Sequence, residues 1–286
     1  MPSFSSYDRT RISYELTGEG DPLVVLGGGP GMDVRYLGDL GGLDRRRRLV
    51  LVDARATGRS EAPADRSTVS FVEQARDVEA LRRHLGLDRI DLLAHSAGCL
   101  TAQEYQAAHP ARIRRSVLVA PVGRAGREPD PAELAALRAA RAGESWYPDA
   151  AEADRLLAEG GHEGVALVEL QRRIVPFFWH VWEERRRAEY RPEHAATLPW
   201  LREAFYAGSA AGAALPGRIA RLGAAATPVL VVAGASDGMI GTAPARAVAA
   251  CHPASRLEVL ARSGHRPWVE EPERFTGLVA EFLDAG

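Results

Sequence analysis

Three residues able to act together in nucleophilic chemistry lie far apart in the chain, each just after a short apolar run. Ser96 follows "RIDLLAH", Asp237 follows "PVLVVAGAS" and His265 follows "SRLEVLARSG". A serine hydroxyl becomes a useful nucleophile when a histidine takes its proton and a carboxylate orients that histidine. Each residue alone also has an ordinary reading: a serine ending a strand, an aspartate capping a turn, a histidine on the surface. Their order, Ser then Asp then His, with each at the C-terminal end of an apolar strand, is that of a Ser-His-Asp triad on an open α/β sheet. Around the serine the chain reads Ala94-His95-Ser96-Ala97-Gly98, one methyl group away from the Gly-x-Ser-x-Gly turn that exposes such a nucleophile. Ser96 is therefore expected to attack, His265 to act first as base and then as acid, and Asp237 to orient it.

The tetrahedral intermediate of such a reaction carries an oxyanion that needs N–H donors. "LGGGPG" ends an early apolar run, and Gly28 and Gly29 leave backbone N–H groups bare there. The N–H of Ala97, next to the serine, is the expected second donor. A dinucleotide-binding reading of these glycines fails, because Met32 stands where Gly-x-Gly-x-x-Gly needs its third glycine.

The elements that must position these groups follow from periodicity. "PLVVLGG", "RRLVLVDA", "RIDLLAHS", "RRSVLVAPVG", "TPVLVVAGASD" and "SRLEVL" read as buried strands, and "RISYELTGEG" reads as an edge hairpin. Helical periods run from Phe71 to Leu85, stopped by Gly86, and from about Gly98 to Ala108, broken at Pro110. Strand alternating with helix predicts an α/β fold: a mostly parallel sheet with helices on both faces. The alternation lapses after Val122 and resumes at Thr227, so residues 1–122 and 226–286 are expected to form the core and 123–225 an inserted helical cap. "RRRR" at Arg45–Arg48 reads as a solvated turn.

Composition removes other chemistries. All 36 basic residues are arginine, so a lysine Schiff base and a Walker-type phosphate loop are excluded. Cys99 and Cys251 make no disulfide framework, and none of the eight histidines is paired at His-x-x-x-His spacing, so neither metal nor cofactor is expected. A net charge of −2 and the lack of any long apolar run argue against a nucleic-acid or membrane partner. The N-terminus lacks the apolar run of a signal peptide, so a cytoplasmic protein is expected, acting on a small molecule or short peptide.

These residues resemble the α/β-hydrolase superfamily and, more narrowly, the proline iminopeptidase family. That family carries His-Gly-Gly-Pro-Gly after its first core strand, where this chain has Gly27-Gly28-Gly29-Pro30-Gly31. The family's Asp-Gln-Arg-Gly-x-Gly-x-Ser is similar to "DARATGRS", which keeps Asp53, Arg55, Gly58 and Ser60. In the cap, "FFWHVWEERRRAEY" resembles the family's Trp-x-x-Trp-Glu at Trp179, Trp182 and Glu183, and "LREAFYAG" places Glu203 beside Tyr206. The resemblance implies that Glu183 and Glu203 hold a substrate's free ammonium between the aromatic walls of Trp179 and Trp182. It implies an aminopeptidase releasing a small N-terminal residue. The same machinery also serves esters, lactones and other amides, and the scaffold also carries non-hydrolytic lyases and cyclases. The chain departs from the family at Gly27, Ala94 and Ala97, where the family has histidine, glycine and tryptophan.

Overall fold

A computed structural model describes residues 1–183, 185–186, 198–207 and 215–285. Part of the cap stretch read above, residues 184 and 187–190, lies outside them. The sheet has eight strands, β1 (Ser3–Ser5), β2 (Arg11–Thr17), β3 (Pro22–Leu26), β4 (Arg48–Val52), β5 (Ile90–His95), β6 (Ile113–Val119), β7 (Val229–Gly234) and β8 (Ser255–Leu260). Their spatial order is β1-β2-β4-β3-β5-β6-β7-β8. The edge hairpin differs from the one expected in "RISYELTGEG": that segment supplies the single strand β2. It pairs antiparallel with β1 before it and with β4, and not with β3 after its turn, while every pairing from β4 to β8 is parallel.

Alternation along each strand divides the core into two layers. On β5, Ile90, Leu92 and Ala94 pack with α1 (Phe71–His84) and α2 (Gly98–Ala108), while Leu93 faces the layer built on Leu37, Leu40, Trp268 and Phe275. A strand buried on both faces reads as a continuous apolar run, which is why β5 and β7 were plain in the sequence. α1 starts where the Ser70 hydroxyl accepts from the Glu73 N–H, and it stops before Gly86, whose φ of 68° suits a residue without Cβ.

The turn at Arg45–Arg48 differs from the solvated turn expected there. Arg45, Arg46 and Arg48 are exposed, but Arg47 is buried, bridging Asp21, Asp91 and Asp284. It ties the N-terminal end of β4 to the last helix. "DARATGRS" is likewise structural. Asp53 accepts from the Val34 N–H (3.1 Å) and from Arg59 (2.8 Å), and buried Arg55 grips Asp77 at 2.6 Å. A Cβ on Gly58 would stand 2.5 Å from the Asp53 carboxylate, so only glycine fits that turn.

β6 and β7 are neighbours in the sheet, and residues 120–228 form the excursion between them. Its described elements are helical: α3 (Pro131–Ala139), α4 (Tyr147–Glu159), α5 (Gly164–Arg173), the short turn Val175–Phe178, and the helices Pro199–Tyr206 and Leu215–Ala224. Among the described residues no helix is long and apolar enough to cross a membrane.

Candidate active site

Ser96 lies between the end of β5 and the start of α2 with φ of 54°, a left-handed conformation that costs a residue with a Cβ about 1–3 kcal/mol. Two backbone bonds hold it there: its N–H donates to Val119 O (2.8 Å) and its carbonyl accepts from the Cys99 N–H (3.1 Å). Gly98 is obligatory, since a Cβ would stand 2.4 Å from the Gly27 carbonyl oxygen. Ala94, the departure from the glycine pattern, is fully buried beside Leu92, Cys99 and Ala102, so its methyl adds to the packing of α2 on β5.

Asp237 and His265 follow β7 and β8 and converge on this turn. His265 Nδ1 lies 2.7 Å from Asp237 Oδ2, and His265 Nε2 lies 3.1 Å from Ser96 Oγ. The other carboxylate oxygen of Asp237 accepts from the N–H groups of Met239 (3.0 Å) and Ile240 (3.2 Å), so the carboxylate acts only as an acceptor. His265 therefore carries its proton on Nδ1 and turns the lone pair of Nε2 to the serine. All three side chains are buried.

The glycine-rich loop divides its tasks differently from the sequence expectation. Gly28 was expected to offer its N–H to an oxyanion, but that N–H donates to Tyr36 Oη at 2.7 Å. The N–H groups of Gly29 and Ala97 carry no hydrogen bond among the described residues and remain the two candidate donors. A narrow cavity of about 40 Å³, room for about three waters, opens beside them between Gly28, Pro30, Ala97, Thr101, Leu201 and Phe205.

Tyr36 belongs to a relay that the sequence reading missed. Its oxygen lies 2.5 Å from His95 Nδ1, and His95 Nε2 lies 3.0 Å from the His265 carbonyl oxygen. A carbonyl can only accept, so His95 Nε2 carries a proton. Burial, with the neighbouring His265 second, pushes the His95 pKa well below the usual range, so the ring is neutral and Nδ1 accepts. The relay thus runs one way: Tyr36 accepts from Gly28 and donates to His95, which donates to the His265 backbone. It ties the glycine-rich loop to the loop carrying His265. No local pattern could show it, because its members lie in three segments far apart in the chain: the turn at Tyr36, the end of β5 and the loop after β8.

The excursion supplies a second tie. The Phe178 carbonyl accepts from the His265 N–H (2.6 Å) and the Phe177 carbonyl from the Gly238 N–H (2.9 Å). His180 Nδ1 lies 2.8 Å from Ser236 Oγ. Glu270 joins both sides, accepting from the N–H groups of His180 (2.8 Å), Val181 (3.1 Å) and Gly264 (2.7 Å). Burial raises the Glu270 pKa against the pull of those three donors. Gly264 permits the approach: a Cβ there would lie 2.1 Å from the Phe178 oxygen.

The residues expected to bind substrate in the cap are placed otherwise. Trp179 is buried as a wedge, its backbone against Gly264 and its ring between the guanidinium groups of Arg186 (5.0 Å) and Arg266 (5.6 Å). Trp182 is half-buried. Glu183 is exposed and paired with Arg185 at 2.6 Å, and Glu203 is exposed on the outer side of the helix whose Leu201 and Phe205 line the cavity. Helical spacing explains the difference: in Pro199–Tyr206 the inward positions are 201 and 205, which turns 203 to solvent.

Comparison with known proteins agrees with this architecture. The sequence profile of the alpha/beta hydrolase fold matches residues 21–272. A proline iminopeptidase from Heyndrickxia coagulans is 23% identical, over 96% of each chain. A thermophilic esterase from Thermogutta terrifontis superposes with a TM-score of 0.70 at 23% identity, covering 99% of this chain and 97% of that one. The enol-lactonase from Burkholderia xenovorans LB400 superposes with a TM-score of 0.63 at 24% identity, covering 99% of each. At these identities the two solved structures speak for the fold alone. A parallel sheet from β4 to β8, a strained serine turn after β5 and a profile match over most of the sequence lead to one conclusion: the chain belongs to the α/β hydrolase family.

Proposed function

We propose that the protein is a serine hydrolase working through an acyl-enzyme, with Ser96, His265 and Asp237 as its triad and residues 123–225 as a cap over the site. The observation that carries this reading is the unbroken hydrogen-bond chain from Ser96 Oγ through His265 to Asp237, at 3.1 and 2.7 Å, with the serine in a left-handed turn. Ser96 Oγ attacks the substrate carbonyl while His265 Nε2 takes its proton, and Asp237 stabilises the resulting imidazolium. The N–H groups of Gly29 and Ala97 receive the developing oxyanion. His265 then gives its proton to the leaving group and, in the second half-reaction, activates the water that releases the acid.

The substrate class best supported is a small ester, lactone or amide without a free amine, because Glu183 and Glu203 both face solvent. An aminopeptidase is the second reading, favoured by the full-length relative named proline iminopeptidase. The deciding experiment compares hydrolysis of prolyl-naphthylamide and a short-chain nitrophenyl ester by wild type and Ser96→Ala. Ester turnover lost in Ser96→Ala supports the first reading, and prolyl-amide turnover lost in that variant supports the second. Turnover of either that survives Ser96→Ala defeats the triad.

A further inference from the structure

Other buried and half-buried arginines of this protein have acceptors for their guanidinium groups. Arg138 bonds to Asp154 (2.5 Å) and to the Gly238 carbonyl (3.0 Å), Arg141 bonds to the Trp179 carbonyl (2.9 Å), and Arg55 holds Asp77. Arg127, in the loop that leaves β6 for the excursion, differs from them. It is partly buried, yet among the described residues its guanidinium has neither a hydrogen bond nor an ion pair. Its sequence neighbour Glu128 is already bonded to Arg124 at 2.9 Å. The groups whose charge acts on it are Tyr206, Arg202, Asp237 and Arg138. Asp237, the only carboxylate among these, has its oxygens engaged by His265, Met239 and Ile240. Burial accordingly pushes the Arg127 pKa below the usual arginine range.

A second unsatisfied group lies in the same region: Glu128, next to Arg127, donates its N–H to the Val122 carbonyl (2.9 Å), and Val122 belongs to the apolar cluster against which Tyr206 packs. The Tyr206 hydroxyl is buried and, among the described residues, has no hydrogen-bond partner. Its ring packs edge-on against Phe205 (5.1 Å), and both belong to the apolar cluster that contains Ala97 and Ile240. Tyr206 is thus held between the cavity at Ala97 and the loop that carries Asp237. Leaving a buried hydroxyl and a desolvated guanidinium unmatched is costly, and natural proteins rarely tolerate it away from a binding site. The guanidinium has donors only, and the phenol has one more to offer, so an anionic acceptor would satisfy both.

We propose that Arg127 and Tyr206 form a carboxylate-binding subsite, so that the substrate is a small ester, lactone or amide bearing a carboxylate a few bonds from the scissile carbonyl. The inference rests on the serine-hydrolase reading and narrows its substrate class. A planar guanidinium takes a carboxylate through two parallel N–H bonds, which anchors one end of the substrate while its carbonyl rests against Gly29 and Ala97. It also fits the outward placement of Glu183 and Glu203, since a site for an anion has no use for carboxylates.

The test separates binding from turnover. Titration calorimetry on Ser96→Ala compares glutarate with its neutral diamide, a measurement that needs no catalysis. Glutarate should bind at least about tenfold more tightly, and Arg127→Gln in the same background should erase the difference. Tyr206→Phe should weaken glutarate several-fold. In turnover, wild type should favour the mono-nitrophenyl ester of glutaric acid over nitrophenyl pentanoate by about tenfold in kcat/KM. Arg127→Gln should lower that ratio toward one, while Arg127→Lys, which keeps the charge, should retain part of it. Equal binding of glutarate and its diamide by the Ser96→Ala protein overturns the proposal, as does a glutarate preference that survives in Arg127→Gln. Failure of Ser96-dependent turnover alone would sink the triad reading and leave the calorimetric result standing.

Discussion

Ser96 is fixed by its own neighbourhood alone, whereas the loops of His265 and Asp237 are held both locally and by a distant stretch of chain. The serine's strained turn is secured by strands β5 and β6 and by Gly98, all in the sheet or beside it. The two loops after β7 and β8 instead receive carbonyls from Phe177 and Phe178 and share Glu270 with His180 and Val181. One half of the site thus belongs wholly to the core, and the other rests on core bonds, such as Ser236 N–H to the Ser263 carbonyl (2.9 Å), with the excursion docked on it as well. Changes near Ser96 should therefore alter chemistry with little change in folding, and changes at the docking strap should alter both.

The largest expected effect is on the core side. Ser96→Ala should cut kcat by about 10⁴-fold or more while leaving the melting temperature close to that of wild type, read by steady-state kinetics and calorimetry. Gly264→Ala, on the strap side, should lower kcat by about 10²-fold and cost about 1–3 kcal/mol of stability, because the added Cβ displaces the Phe178 carbonyl from the His265 loop. Normal activity in Gly264→Ala would show that the strap does not position His265. Tyr36→Phe tests the link between the halves. It strips the Gly28 N–H of its acceptor and His95 of its donor, and should cost about 1–3 kcal/mol in denaturant unfolding with a fall in kcat near tenfold.

A difference between the two sides is also expected in acid. Burial lowers the pKa of His252 to about 4 and pushes that of His95 well below the ordinary histidine value. In the unfolded chain both gain a proton below about 6.5, while the folded protein resists until lower pH. Their contribution to stability is therefore complete above about 6.5 and is lost as pH falls toward 4. The melting temperature should drop across that window, and His252→Gln, remote from the relay, should flatten part of the drop without touching the part due to His95. The smallest effect is reserved for Glu183→Gln, expected to change stability by less than about 0.5 kcal/mol and turnover by less than twofold, since the side chain is exposed. A collapse confined to prolyl-amide turnover would return Glu183 to the site.

The contrast between the halves also describes what could be read from the sequence. β5, β7 and the glycine-rich loop announce themselves through apolar runs and a fixed order, so Ser96, Asp237 and His265 could be picked out as candidates from strand ends, and the fold brings them within hydrogen-bond reach. The roles of Tyr36, His95, Glu270 and Arg127 depend on which loops meet, and single-chain periodicity carries no such information. Trp179 and Glu183 show the converse. A short motif placed them near a substrate, while packing set Trp179 as a wedge and Glu183 stands exposed, paired with Arg185. Gly264 was legible as a turn, but its reason is the approach of a carbonyl from the excursion, a contact invisible until the chain is folded.

The strap at Phe177–Val181 has a consequence for how this α/β-hydrolase fold can be rebuilt or inherited. An excursion exchanged for that of a relative brings with it the hydrogen-bond acceptors that aim His265, so the chimera acquires a new pocket and a new base alignment in one step. Grafts that cut at the sheet edges, near residues 122 and 226, would carry away the clamp and leave the serine waiting beside a loosely held histidine. Grafts that preserve the short turn and Glu270's three donors would change what is recognised while keeping how it is cleaved. Chimeras cut on either side of Phe177–Val181 would test whether the exchangeable part begins inside the excursion.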